Sequence, residues 1–392
     1  MIKSTPIWIV IPTYWGSTSK ASYDHPTPLN AKSTLSHLLQ SLGNQNGAPA
    51  LNILILLATV SPDDEIPAVA RVTEIISPYL DRFNVYLVFS RITNWIAAEL
   101  EGEIPHLLSE ALKMQGYGAI RTCQLLIPAL YDAEIIIALD DDELVSEGYC
   151  ARALSYIGTE LGSKQILGIS GPYVDATGSP YLEEPETTLN KFHEKAVLIN
   201  EATRDLLNSP DPINVTSMAF GGNMIFHHKL FRQVSFDPVI PRGEDIDYLI
   251  NARIMGFPFF FDRELAITHL PPRQYEVSGY AKMRQDVIRF IYEREKILRG
   301  NLTLKEFMPY PGSLLQDDFF SLAREALILI GSNQAYEEFG KPDEIIEDAR
   351  RFAQLHLPRY FEFAEQWPEA IPVIQKHALL LKSFYSEMTI ER

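Results

Sequence analysis

The sequence predicts an α/β fold: a Rossmann-like sheet with helices on its faces, followed by a helical C-terminal region. Three observations carry this expectation. Four aliphatic runs alternate with segments of helical period over the first half of the chain. Acidic residues collect where the fourth run stops. From about residue 276 the chain has helical period throughout.

The runs are "IWIVIP" (7–12), "LNILILLATV" (51–60), "FNVYLVFS" (83–90) and "AEIIIALD" (133–140). Each is β-branched and nearly continuous, as strands buried on both faces are. Between them "LNAKSTLSHLLQSLGNQ", "EIPAVARVTEIISPYLDRF" and "GAIRTCQLLIPALYDA" have apolar residues at helical spacing. A further strand is expected in "SKQILGISGPYV" (163–174). Residues 175–217 are polar and rich in proline; they read as a long excursion containing a helix, loose enough to act as a lid. "NMIFHH" reads as a strand with His227 and His228 at its edge, and "GEDIDYLI" as a helix opened by acids. In "YAKMRQDVIRFIYEREKIL", Met283, Val287, Phe290 and Ile291 form one apolar stripe.

Composition narrows the function. The chain has 392 residues, 46% hydrophobic and 22% charged, enough for a large core and a poor match to disorder. Its 51 acids against 34 bases leave a formal charge of −17, which repels a polyanion and argues against a nucleic-acid partner. An anionic substrate would then need a local cation. Two cysteines, Cys123 and Cys150, make no disulfide framework and fit a reducing, cytoplasmic compartment. No run reaches the roughly eighteen apolar residues of a transmembrane segment, and "MIKSTPIWIVIPTYWG" reads as a first strand.

Asp140, Asp141 and Asp142 stand at a strand's carboxyl end, where α/β sheets bind ligands. Side chains alternate there, so Asp140 and Asp142 point one way and Asp141 the other. One such Asp would be an ordinary loop or cap residue. Three after "IIIAL" suggest a hard divalent cation, which offsets their mutual repulsion.

With these come Pro12-Thr13-Tyr14 after the first run, Gly221-Gly222, Glu244-Asp245 at a helix start and His269 in "AITHLPP". Together, over residues 7 to about 275, they resemble the GT-A fold nucleotide-diphospho-sugar glycosyltransferases, closest to family 2. The resemblance implies a mixed central sheet flanked by helices. It also implies a nucleotide-sugar-binding half (1–150), an acceptor-binding half (151–275) and a helical C-terminal region (276–392). It implies a nucleotide-diphosphate sugar donor, a small-molecule or glycan acceptor and a divalent cation, Mn²⁺ or Mg²⁺, and leaves an oligomer open. Asp142 becomes a metal ligand, joined by Asp140 and His269. Asp140 and Asp141, with Pro12, Thr13, Tyr14 and Arg121, belong to the nucleotide-sugar site. Gly221, Gly222 and Glu244 belong to the acceptor site. Asp245 is the catalytic base of an inverting transfer, with Glu244 beside it.

Alternatives stand next to several of these. Arg121 either reaches the nucleotide or pairs with the aspartates. His269 is a ligand or a hydrogen-bonded strand-end histidine. The chain departs from family 2 at Ala58 and Thr59, where acids usually follow the second strand; Asp63 and Asp64 come later. The base is then held by Thr13, Tyr14 and backbone groups, or is not uracil. Lys20, Asp24 and His25 in the first loop either reach the donor or belong to a surface loop. A retaining GT-A enzyme, resembling the mannosylglycerate and glucosyl-phosphoglycerate synthases, is the alternative chemistry. A sugar nucleotidyltransferase is a weaker one, since "PTYWGSTSKAS" lacks the expected arginine.

Overall fold

The computed structural model describes residues 6–16, 23, 26–45, 51–184, 190–271 and 278–376. Lys20, Asp24 and His25 lie outside them. The first half runs β1 (Ile7–Trp15), α1 (Leu35–Gly43), β2 (Leu51–Thr59), α2 (Glu65–Ile76), β3 (Asn84–Val88), α3 (Ser90–Glu99), α4 (His106–Ala111), α5 (Tyr117–Leu130) and β4 (Ile135–Ala138). Next come β5 (Glu143–Val145), α6 (Tyr149–Tyr156), β6 (Glu160–Leu161), β7 (Lys164–Gln165), β8 (Gly168–Ser170), β9 (Tyr173–Val174) and α7 (Lys195–Asn208). They are followed by β10 (Ile213–Thr216), β11 (Met224–His227), α8 (His228–Phe231), α9 (Glu244–Ile254), β12 (Phe259–Asp262) and β13 (Ile267–His269). The chain closes with α10 (Gly279–Arg299), α11 (Phe319–Ile330), α12 (Asn333–Phe339) and α13 (Pro342–Lys376).

Among the described residues the main sheet has eight strands in the order β10-β12-β8-β11-β4-β1-β2-β3. β4, β1, β2 and β3 are parallel, as continuous aliphatic strands joined by helices should be. β11 enters antiparallel between β4 and β8 and makes the sheet mixed. Strands from before and after residue 150 thus form the two halves of one sheet, joined at β4 and β11, and share one core. β1 carries Ile7, Ile9, Val10 and Ile11 into that core with essentially no exposure.

A three-stranded sheet, β5-β13-β9, lies at the carboxyl end of β4. It is held by antiparallel pairing of β13 with β5, which sets His269 opposite Glu143.

A second core joins α7, α9, α10, α11 and the first part of α13, and takes in the stripe Met283, Val287, Phe290 and Ile291. α10 has a second, polar stripe that is also buried: Asp286, Arg289, Glu293 and Lys296. Lys296, fully buried, places Nζ 2.6 Å from Asp247 on α9 and 2.8 Å from Asp237. A buried charge persists only where such partners replace water, so this contact fixes α10 against α9. Of the described parts of 175–217, residues 190–203 are mostly buried or half-buried against the helical core, whereas 175–184 are largely exposed. Asn200 of α7 exchanges hydrogen bonds with Leu182, Asn190 donates to Leu322 O, and Phe192 sits against Phe290 and Phe319. Among the described residues no helix is long and apolar enough to cross a membrane.

Candidate active site

A cleft of about 430 Å³ opens at the carboxyl ends of β1 and β4. Tyr14, Arg121, Asp140, Asp141, Asp142 and His269 line one side; Gly221, Glu244 and Asp245 line another. Of the sequence-predicted residues, Pro12 is buried within β1 and Gly222 sits just behind the lining.

The three aspartates lie in the turn beyond β4, all line the cleft and take separate partners. Asp141 turns toward β1 and accepts a hydrogen bond of 2.5 Å from the Thr13 hydroxyl, which itself accepts from Trp15 Nε1 at 2.8 Å. Thr13 is therefore committed to holding Asp141 in place. Asp140 turns to Arg121, whose Nη2 lies 2.7 Å away. Arg121 is 3% exposed and also reaches Glu244 with Nε at 3.2 Å and Gln124 with Nη1 at 3.0 Å. It thus pairs with acids and also lines the cleft. Burial opposes the guanidinium charge, but Asp140 and Glu244 among its neighbours hold it firmly protonated. Arg121 thus ties the Asp motif to the start of α9 through one side chain on α5.

Asp142 meets His269, with Nε2 3.4 Å from Oδ2. Strand pairing and a hydrogen bond from Leu270 N–H to Asp142 O, at 2.8 Å, bring them together. Burial alone would lower the imidazole's pKa; the contact with Asp142 outweighs it, and the pKa is raised. Burial pushes Asp140 and Asp141 up, with the Asp142 charge adding to both. Glu143, 1% exposed, closes the turn by accepting from Asp140 N–H at 2.8 Å. A Cβ on Gly222 would overlap Glu143 Oε1 and the Tyr173 hydroxyl, so this glycine is needed for close packing beneath the cleft. Gly222 N–H donates to that hydroxyl at 2.7 Å. Gly221 lies at the surface of the cleft, beside Arg121 and Glu244.

On the far side, α9 begins at Gly243, which has φ of +69° and passes beneath the Arg289 guanidinium. Glu244 is buried against Arg121, while Asp245 opens toward the cleft and accepts from Ile246 N–H at 2.8 Å. Burial and the neighbouring Glu244 raise the Asp245 pKa to about 6. A carboxylate so tuned is a competent base near neutral pH.

Asp142 and His269 offer a carboxylate and an imidazole that a divalent cation could take, while Asp140 is engaged by Arg121 and, among the described residues, the three predicted ligands do not converge as one cluster. Elsewhere, among the described residues, Glu134, His227 and His228 have ligand atoms within 4.8 Å of one another. Those two histidines lie where β11 gives way to α8, at the end of an interior strand rather than at the strand edge expected for them. A second cavity, of about 370 Å³ between α4 and α13, is lined by Leu107, Pro238 and Phe363 among others and holds none of the sequence-predicted residues.

No family model matches the chain, and no curated protein matches its sequence. Among solved structures it is similar to a mannosyltransferase of Pyrobaculum calidifontis in complex with GDP-Man and Mn²⁺. That likeness is at 15% identity and TM-score 0.47, over 96% of this chain and 88% of that one. It is similar to GalNAc-T7 with UDP, GalNAc and Mn²⁺ at 13% and 0.46, over 94% and 59%. It is similar to TarS of S. aureus at 11% and 0.41, over 89% and 55%. These likenesses assign no residue; the roles below rest on the cleft itself.

Sequence reasoning missed Lys195, Arg242, Arg289, Tyr173 and Tyr310, which also line the cleft. A signal existed for one of them. Asp286, Arg289, Glu293 and Lys296 recur at helical spacing, the period of a second buried face.

Proposed function

We propose that this cleft moves a sugar from a nucleoside-diphosphate donor to an acceptor hydroxyl, with the aid of a divalent cation and with inversion at the anomeric carbon. The observation that supports it is one cleft with two unlike acidic groups: Asp142 against His269 on one side, Asp245 at the start of α9 on the other. Asp142 and His269 would hold the cation, which when bound neutralises the charge growing on the departing diphosphate. An imidazole among the ligands favours Mn²⁺ over Mg²⁺.

The remaining work falls to the chain's own side chains. Asp245 takes the acceptor proton as the hydroxyl oxygen bonds to the anomeric carbon and the bond to the diphosphate breaks. Glu244, held by Arg121, fixes the helix start that aims Asp245. Tyr14 packs on Tyr23 and Tyr117 and gives the donor side an aromatic wall. Thr13 positions Asp141 and through it the aspartate turn.

The experiment is a panel of nucleotide sugars with Mn²⁺, followed by NMR for donor hydrolysis and for the anomeric configuration of any product. Metal-dependent cleavage with inversion is the expected result. A product of retained configuration would remove the base mechanism, and failure to bind or cleave any nucleotide sugar would remove the reading.

A further inference from the structure

Three cations face the cleft from separate elements: Lys195 opens α7, Arg242 precedes α9 and Arg289 lies in α10. In a chain of net charge −17 such a wall is a local reversal of sign. All three surround one carboxylate, Asp286, which is 2% exposed. Lys195 Nζ pairs with its Oδ2, Arg289 Nε lies 3.2 Å from Oδ1 and Arg242 Nε 3.9 Å from Oδ1. Lys195 and Arg289 alone already exceed the single negative charge between them.

The next carboxylate along α10, Glu293, does not line the cleft. Glu293 is fully buried, burial raises its pKa far above the usual range, and neither oxygen has a hydrogen-bond partner. Tyr310 accepts from Arg289 Nη2 at 2.8 Å and brings no charge. Arg289 lies across the N-terminal cap of α9, whose helix dipole adds potential of the same sign. Burial and then the two arginines act to lower the Lys195 pKa, against Asp286; an added anion would relieve that repulsion.

We propose that Lys195, Arg242 and Arg289 form a subsite for an anionic group, phosphate or carboxylate, carried by the acceptor near the hydroxyl that Asp245 deprotonates. This rests on the glycosyl-transfer reading of the cleft. Arg242 precedes α9, which carries Asp245, and Arg289 lies across its start, whereas Asp142 and His269 come from the turn after β4 and the end of β13. Two guanidinium forks and an ammonium are the donors that planar or tetrahedral oxyanions take.

The test uses the full chain, with wild type, Lys195→Gln and Arg242→Gln compared by calorimetry and melting temperature. Asp286 keeps Arg289 and one further cation in either variant, so both should fold. The probes are glucose, glucuronate, glucose 6-phosphate and inorganic phosphate at constant ionic strength, and separately UDP and GDP with Mn²⁺. The anionic probes should bind and glucose should not, with the better anion naming the acceptor group. Each variant should weaken anion binding at least tenfold and change nucleoside-diphosphate binding less than threefold. Equal binding of glucose and its anionic relatives, or no anion binding, would overturn the subsite and leave the glycosyl-transfer reading standing. A matching loss of UDP or GDP binding in the variants would reassign the cations to the donor and also overturn it. Wild type that binds no nucleoside diphosphate would remove both.

Discussion

The Nε2 atom of His269 lies 3.4 Å from Oδ2 of Asp142. The two residues are remote in sequence and are joined only because β13 pairs with β5 in a register that sets His269 opposite Glu143. A slip of one residue would turn the imidazole to the other face of the small sheet.

Asp142→Asn and His269→Ala should each weaken Mn²⁺-supported nucleoside-diphosphate binding at least tenfold without unfolding the protein. The amide keeps the carboxylate's shape and loses the charge a hard cation needs. Calorimetric titration with and without Mn²⁺ reads this. Unchanged metal dependence in both variants would place the cation elsewhere, with Glu134, His227 and His228 the next group to test.

Asp245→Asn should leave donor binding nearly intact and slow transfer by about 10² to 10⁴, the usual range for removing a positioned base. In wild type the rate should fall as pH drops through about 6, where burial and Glu244 place the Asp245 carboxyl, and level off above it. A flat profile between roughly pH 5 and 8 would exclude this base.

The same residue makes a stability prediction of definite sign. The folded pKa, about 6, lies above the ordinary carboxylate value of 3.8. The folded state therefore holds the proton more tightly, and ionised Asp245 lowers stability as pH rises through 6. Asp245→Asn should melt no lower than wild type at pH 8. A clear loss there would mean that the charge itself, through Arg289 or Arg121, stabilises the fold.

Arg121→Met should destabilise by about 3 kcal/mol or more, because it strands Asp140 and buried Glu244 without their shared cation. Urea unfolding measures it. Arg121→Lys should recover only part, since one ammonium cannot reproduce a fork that reaches Asp140, Glu244 and Gln124 together.

Gly222→Ala should cost about 1–3 kcal/mol and distort the aspartate turn, since the new methyl overlaps Glu143 Oε1. Gly279→Ala, at an exposed start of α10 with nothing within 4 Å of the added atom, should be neutral or slightly stabilising. Equal melting temperatures for the two variants would show that Glu143 moves aside freely.

The alternation of strand and helix, the aspartates at the end of β4, the acids opening α9 and the helical C-terminal region were legible in the sequence. Each rests on a period of two or 3.6 residues, or on a local end effect, that neighbouring residues decide among themselves. Tertiary structure alone decided the partners. The parallel order of β4, β1, β2 and β3 followed from continuous aliphatic runs, but the antiparallel entry of β11 did not. The hydrogen bond from Thr13 to Asp141 and the bridge of Arg121 from Asp140 to Glu244 were not legible in the sequence. The residues of 175–217 looked loose by composition, yet Lys195 and Phe192 tie the start of α7 and the turn before it to α10. Lys195, Arg242 and Arg289 gave no sign in sequence of sharing a wall. Their meeting depends on how three elements pack, and packing contacts between distant residues follow from strand register and helix docking rather than from local preference.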